Sequence, residues 1–159
     1  MEAFNTTMGF AKLSLTGRAL RLLAQREHSR LELERKLAPH VEEGEDLAAV
    51  LDALEAKNFI SPERVAQSVV YTRSKKLGTA RVVQELRQKG LDDDIVRAAA
   101  EQMRATEHAR AWAIWQHKFG QLPSTPQERM KQMRFLASRG FGGDIVNKVL
   151  KGQPPDTAE

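Results

Sequence analysis

Cysteine is absent from this chain of 159 residues. Disulfide bonds and thiolate metal sites are therefore excluded. Long hydrophobic runs are also missing, because the longest, residues 47–51 and 111–115, fall far short of the ~20 residues that span a bilayer. The amino terminus lacks the charged-then-apolar pattern of a signal peptide. We therefore expect a cytoplasmic protein that does not enter the membrane.

Catalytic and cofactor motifs are missing too. None of the four histidines stands in an HExxH pattern or beside a cysteine, and solvated or capping roles are favoured for them: His28, His40, His108 and His117. Gly142-Gly143 reads as a turn before a helix and not as a phosphate-binding loop. No nucleophile and base are placed together by the sequence. We predict a protein that is not an enzyme, with no cofactor and no metal.

No stretch shows the sustained alternation that a strand needs, whereas apolar residues recur at helical spacing along most of the chain. Helix starts are marked clearly. Ser29 and Glu32 form a capping-box pattern, as do Thr125 and Glu128, and Ser61-Pro62 supplies a cap followed by proline at the first helical position. The predicted fold class is all-α.

The chain also contains an internal repeat. Leu86, Lys89, Gly90 and Leu91 are matched fifty residues later by Leu136, Arg139, Gly140 and Phe141. Repeats of this length indicate stacked helical units that share a core with their neighbours. We predict three tandem three-helix repeats in an elongated, curved array, with boundaries at 1–13 (flexible leader), 14–60, 61–105, 106–151 and 152–159 (flexible tail).

Two local questions stay open from the sequence. Residues 94–119 contain neither glycine nor proline, so they form either one long helix or two that abut near Thr106. Trp112 and Trp115 lie three apart on one helical face, where they could stack nucleic-acid bases. A role in the core is the favoured interpretation, because large aromatic side chains at helical spacing usually pack inside.

Charge is unevenly placed, although the net charge is only +4. Residues 42–55 hold six acids and no base, whereas residues 73–89 hold six bases and one acid. Three aspartates follow at 92–94, and they exclude DNA reading by the next helix, because its N-terminal end would meet phosphates. A charge run is usually a solvated face, but its recurrence in the third unit predicts a positive stripe suited to a polyanion or an acidic surface. The candidate binding residues are Arg73, Lys75, Lys76, Arg81, Arg87, Lys89, Lys118, Lys131, Arg134 and Arg139.

These residues also carry a family resemblance. The chain is similar to the motifs of the regulatory protein RecX family in each of its three units. The similar residues are 26–29 with Glu32-Leu33 in the first unit, Gly78, Arg81 and Lys89-Gly90 in the second, and 134–136 with 139–141 in the third. The similarity extends over residues 15–151. The chain departs from the family pattern mainly in turns, where Asn58 replaces a glycine and Thr79 replaces a proline.

The resemblance implies a modulator of the recombinase RecA, active in DNA repair, recombination and the SOS response. Such a protein lies in the groove of the RecA–DNA filament and limits strand exchange, ATP turnover and repressor cleavage, either by capping growing ends or by loosening the filament interior. The expected partners are the RecA filament and, weakly and without sequence preference, DNA; the expected state is a monomer. A low-specificity DNA-binding helical repeat protein is the alternative function, and a passive helical scaffold for another partner is a third.

Overall fold

The computed structural model describes residues 13–156, and that part of the chain contains helices and no strand. The predicted all-α class is confirmed. The described residues form nine α-helices: α1 (Leu15–Gln25), α2 (Arg30–Leu37), α3 (Leu47–Ala56), α4 (Pro62–Arg73), α5 (Thr79–Gln88), α6 (Asp93–Arg104), α7 (Glu107–Lys118), α8 (Pro126–Ser138) and α9 (Gly143–Leu150), with one 3₁₀ turn at Ala38–His40.

The predicted helix starts follow from side-chain caps. The Ser29 hydroxyl accepts from the Glu32 N–H while the Glu32 carboxylate accepts from the Ser29 N–H, which completes the capping box of α2. The Thr125 hydroxyl accepts from the Glu128 N–H at the start of α8. The Glu128 carboxylate, however, accepts from the backbone and hydroxyl of Ser124, one residue earlier than a capping box requires. Those hydrogen bonds lower the pKa of Glu128.

The chain divides into two compact units at residue 61. In the first, α1, α2 and α3 pack on one another around a leucine-rich core that includes Leu33, Leu37 and Leu51. Each helix supplies at least two side chains to that core, because its apolar residues recur on one face.

The second unit contains two three-helix groups, each with its own core. Helices α4, α5 and α6 enclose Val82, Leu86 and Met103, whereas α7, α8 and α9 enclose Trp115, Leu136 and Val149. Helix α6 also contacts α7. Whether the whole chain is built of three equivalent repeats with the boundaries predicted above stays a prediction.

A similar corner ends one helix in each group, and it explains the internal repeat. Gly90 after α5 and Gly140 after α8 have positive φ, and the next residue donates its N–H to the carbonyl of Leu86 or Leu136. In the first unit Asn58 takes the glycine position with φ 64°. The departure from glycine therefore leaves this corner unchanged, because asparagine tolerates the left-handed region better than most residues.

Residues 94–119 form two helices and not one. Helix α6 ends at Arg104, α7 begins at Glu107, and Thr106 lies between them with φ −117°. The predicted leader falls outside the described residues except for Leu13. Of the predicted tail, residues 152–156 are described and carry no helix, and residues 157–159 lie outside.

The two groups of the second unit are joined end to end. The first N–H groups of α5 have no acceptor within their own helix. The Gly78 N–H donates to the Arg139 carbonyl at 2.7 Å and the Ala80 N–H to the Gly140 carbonyl at 3.2 Å, so the C-terminal carbonyls of α8 supply the missing acceptors. Between them, the Thr79 N–H donates to the buried Glu107 carboxylate of α7 at 3.2 Å. We call this set of contacts the α5–α8 joint.

The joint leaves no room for a side chain at its two glycines. A Cβ at Gly140 would lie 2.7 Å from the Arg81 backbone nitrogen, and Gly140 has φ +94°. A Cβ at Gly78 would meet the carbonyl of Gly140 and lie 2.6 Å from the Phe141 nitrogen. Both positions require glycine because two backbones approach each other directly.

We predict that Gly140→Ala destabilises the second unit by about 2 kcal/mol or more, from the left-handed backbone and the clash with α5. Urea unfolding followed by tryptophan fluorescence measures this, since both tryptophans lie in α7. Gly143→Ala is the matched control, because a Cβ there meets nothing within 4 Å. Equal stabilities for the two variants would contradict the joint.

A buried histidine tests the first unit. His28 is 1% exposed, its Nδ1 lies 3.0 Å from the Arg26 carbonyl and its Nε2 lies 2.9 Å from the Lys36 ammonium. A neutral ring that donates from Nδ1 and accepts at Nε2 satisfies both neighbours. The solvated role expected from the sequence is therefore wrong for this histidine, whereas its contact with the carbonyl of Arg26, the C-cap of α1, agrees with the capping role.

Burial first, and then the nearby Arg26 and Lys36 cations, lower the pKa of His28 below its ordinary 6.5. The unfolded chain then binds a proton more readily, so the free energy of unfolding falls as the pH drops below about 6.5. Hydrogen exchange of α1 and α2 amides should accelerate between about pH 7.5 and 5.5, after correction for intrinsic rates. His28→Gln should flatten that dependence, and an unchanged slope would refute the assignment.

Candidate functional site

Cations gather where three helices end. Lys75 and Lys76 follow the end of α4, Lys118 closes α7 and Arg139 is the C-cap of α8. The carboxyl end of a helix carries partial negative charge, so a cation is favourable at each of these places for a local reason. The fold of the second unit brings the four together around one groove of about 600 Å³.

The groove is lined by cationic side chains, which we call its walls, and by apolar side chains, which we call its floor. Its remaining lining comes from one face of α7 and from α8: Arg110, Ala113, Ile114, His117 and Phe135. No acidic residue lines it. An anion that enters this groove therefore meets cations on several sides and no carboxylate that repels it.

Phe135 organises the cations. The Arg139 guanidinium lies over its ring at 4.9 Å from the centroid, and the Lys118 ammonium at 5.5 Å. Phe119 meets the same ring edge-on, with centroids 5.4 Å apart. Because these cation–π contacts stabilise the ammonium and guanidinium beside the ring, the positive charge stays concentrated at this point.

A second, more open groove continues from the first. It is lined by Lys118, Phe119, Lys131, Arg134 and Phe135, with the exposed Met130 at its side. Lys118 and Phe135 belong to both grooves. Six of the ten predicted binding residues thus lie on this double groove: Lys75, Lys76, Lys118, Lys131, Arg134 and Arg139.

The other four candidates lie outside both grooves. The Arg73 guanidinium pairs with the Glu85 carboxylate at 3.0 Å. The Arg81 guanidinium donates to the Ser138 carbonyl at 2.7 Å and belongs to the α5–α8 joint. Arg87 is exposed and Lys89 half-buried at the far end of α5. The structure therefore divides the predicted stripe in two. The six residues on the double groove form one set, which we call the groove set, and the other four contact different parts of the protein or lie away from the grooves.

Arg110 is the residue that sequence reasoning missed. Its half-buried guanidinium donates to the carbonyls of Ser74, Leu77 and Met103 at 2.7–3.0 Å and to the Thr106 hydroxyl at 3.0 Å. Burial lowers its pKa. In the sequence, Arg110 is marked only by its position on the polar side of α7. No neighbouring residue indicates which carbonyls its guanidinium contacts.

The two tryptophans differ in how deeply they are buried. Trp115 is 4% exposed and its indole N–H donates to the buried Gln132 side chain at 2.8 Å, so this residue is core. Trp112 is half-buried against the same core, with its ring centroid 5.1 Å from that of Trp115. Neither ring lines the double groove.

Among residues 13–156, no cluster of three or more histidine, aspartate or glutamate side chains could hold a metal ion. The helices in that part of the chain are all too short or too polar to cross a bilayer.

Comparison with known proteins gives the same family for both halves of the second unit. The model of the second three-helix domain of RecX matches residues 63–99, and that of the third three-helix domain matches residues 105–150. The regulatory protein RecX of Ralstonia nicotianae is 47% identical over 140 residues, which cover 88% of each chain. That of Leptothrix cholodnii is 49% identical over 140 residues, 88% of this chain and 89% of its own.

Solved structures agree on the fold. The crystal structure of RecX from Lactobacillus salivarius has a TM-score of 0.73 at 20% identity and covers 87% of this chain and 94% of its own. A second crystal structure of a regulatory protein RecX has a TM-score of 0.72 at 21% identity, covering 86% and 71%.

We predict that Arg110→Lys destabilises the second unit by about 1–3 kcal/mol, because an ammonium cannot reach the separate carbonyls that the guanidinium joins. Thermal unfolding followed by tryptophan fluorescence measures the loss. Arg104→Lys, at an exposed position in the last turn of α6, is the matched control and should leave the transition unchanged. A variant at Arg110 as stable as the control would show that these hydrogen bonds contribute little.

Proposed function

The chain belongs to the regulatory protein RecX family, and from that premise we propose that it binds the RecA–DNA filament in its groove and restrains the recombinase, ATPase and repressor-cleavage activities of RecA. It acts by binding and not by catalysis, in the cytoplasm where RecA works. The membership rests on the relatives at 47% and 49% identity, whose names state a regulatory role.

The observation that carries the proposal is the double groove around Phe135. Its cations converge with no acid among the lining residues, which suits a negatively charged partner. A nucleoprotein filament carries the phosphates of its DNA along its length. Complementary charge of this kind raises the rate of association and fixes the orientation of the bound protein more than it adds affinity.

The groove set is therefore the proposed contact surface, ahead of the rest of the predicted stripe. Arg81 and Arg73 make contacts within the protein, so their loss would affect the fold as well as binding. Lys75, Lys76 and Lys118 are exposed, and their ammonium groups are open to a partner. Substitution of these three lysines separates binding from folding more cleanly.

Direct, low-specificity binding of DNA is the second candidate function, and one observation favours it. Tyr71 is 73% exposed on α4, and the Lys75 ammonium lies 5.7 Å from its ring centroid. An exposed aromatic face beside a cation is the arrangement on which single-stranded bases stack. Binding of this type would weaken steeply with added salt and would not require RecA.

We predict that Lys75→Glu, Lys76→Glu and Lys118→Glu together weaken inhibition of RecA at least about tenfold, because like charges then face the filament. The measurement is ATP hydrolysis by preformed filaments titrated with the variant at moderate salt. The fold should persist, since exposed charges contribute little to stability.

The matched control is the triple variant Arg87→Glu, Arg104→Glu and Lys148→Glu, because it reverses three exposed cations that lie outside both grooves. It should inhibit nearly as well as the unaltered protein. Equal loss in both variants would favour a diffuse electrostatic contact over the groove. Undiminished ATP turnover with several-fold excess of the unaltered protein would remove the proposed function itself.

A further inference from the structure

The groove between the α4–α5 turn, α7 and α8 combines two kinds of surface. Lys75, Lys76, Lys118 and Arg139 form its walls, whereas Ala113 and Ile114 of α7 form an apolar floor beside Phe135. Charge alone does not explain that floor. A partner that offered only anions would leave the apolar side chains in contact with water and would gain nothing from them.

A nucleic acid would use the walls and not the floor. Its phosphates would satisfy the lysines, but base stacking requires a free aromatic face. The ring of Phe135 is already engaged by Lys118, Arg139 and Phe119. Neither tryptophan lines the groove. The stacking surface of Tyr71 is likewise not part of the groove lining.

An acidic peptide with one apolar side chain would contact both the cationic walls and the apolar floor of the groove. Its carboxylates would lie against the lysine ammonium groups, and a leucine-sized side chain would cover Ala113 and Ile114 within the volume of about 600 Å³. Arg110 would hold the apolar floor in place without contacting the carboxylates of the peptide. Its guanidinium already donates to the carbonyls of Ser74, Leu77 and Met103.

We propose that this groove is a docking site for an acidic protein segment that inserts a single apolar side chain onto the Ala113–Ile114 floor between Lys76 and Lys118. The inference rests on the proposed function only in placing that segment on the regulated filament. The apolar contact supplies selectivity for one segment among many acidic ones, because charge complementarity alone accepts any of them.

The test uses the full chain and two fluorescein-labelled peptides of equal negative charge, rich in aspartate and glutamate, one with a central leucine and the other with serine in its place. Fluorescence anisotropy at moderate salt should show the leucine peptide binding about tenfold more tightly, as expected for burying one aliphatic side chain. An oligothymidylate competitor reports whether nucleic acid prefers the same groove.

Two variants separate the floor from the walls. Ala113→Gln places a longer polar side chain on the floor without altering charge, at an exposed helical position that tolerates glutamine. It should remove the preference for leucine and leave the serine peptide unaffected. Lys118→Gln should weaken both peptides, whereas Arg87→Gln, outside the groove, should weaken neither.

Equal affinity for the two peptides would overturn the proposal. So would a preference for leucine that persists in Ala113→Gln, or efficient displacement of the leucine peptide by oligothymidylate, which would assign the groove to nucleic acid. These measurements contain no RecA, so their failure leaves the proposed function standing. Peptide binding by a protein that does not slow ATP hydrolysis would instead keep the docking site and remove the proposed function.

Discussion

The second unit depends on one arrangement, in which the unpaired N–H groups at the start of α5 meet the unpaired carbonyls at the end of α8. Every helix leaves such groups at both ends, and burying them without partners is costly. Here Gly78 and Ala80 donate to the carbonyls of Arg139 and Gly140, and the Glu107 carboxylate accepts from Thr79. The positive end of one helix thus faces the negative end of another. Two three-helix cores become one compact unit through backbone contacts.

The same joint creates the groove. The turn after α4 must lie against the end of α8 for the N–H groups of α5 to reach their acceptors, and Lys75 and Lys76 lie in that turn. Arg110 donates hydrogen bonds both to the Leu77 carbonyl in this turn and to the Met103 carbonyl in α6. Arg139 donates to the Lys76 carbonyl at 3.4 Å. Cations that are favourable singly, at separate helix ends, become a concentrated positive surface. Arg139 therefore serves both the positive surface and the stability of the fold, because it lines the groove and also donates to the Lys76 carbonyl.

The first unit differs in its electrostatics. Of the six acids in residues 42–55, Asp52 and Glu55 lie near Arg30, at 2.6 Å and 3.5 Å, and Asp46 caps α3. Half of this acidic run is thus accounted for by contacts within the first unit. Internal contacts do not account for the cations of the double groove to the same extent. Exposed cations that make no ion pair among those described are Lys75, Lys118, Lys131 and Arg134. That contrast is the physical reason for proposing that a partner binds the second unit.

The sequence by itself determined the helices, because caps, apolar periodicity and left-handed corner residues act within a few residues of one another. Ser29 with Glu32, Gly90 and Gly140 illustrate this. It also determined the family and which cations are candidates. Only the tertiary structure decided which of those cations share a groove, since the answer depends on contacts 28 to 63 residues apart, such as Thr79 with Glu107 and Arg139 with Lys76. Arg110 and the buried His28 belong to the same class, because their roles are set by the carbonyls and cations that folding places around them.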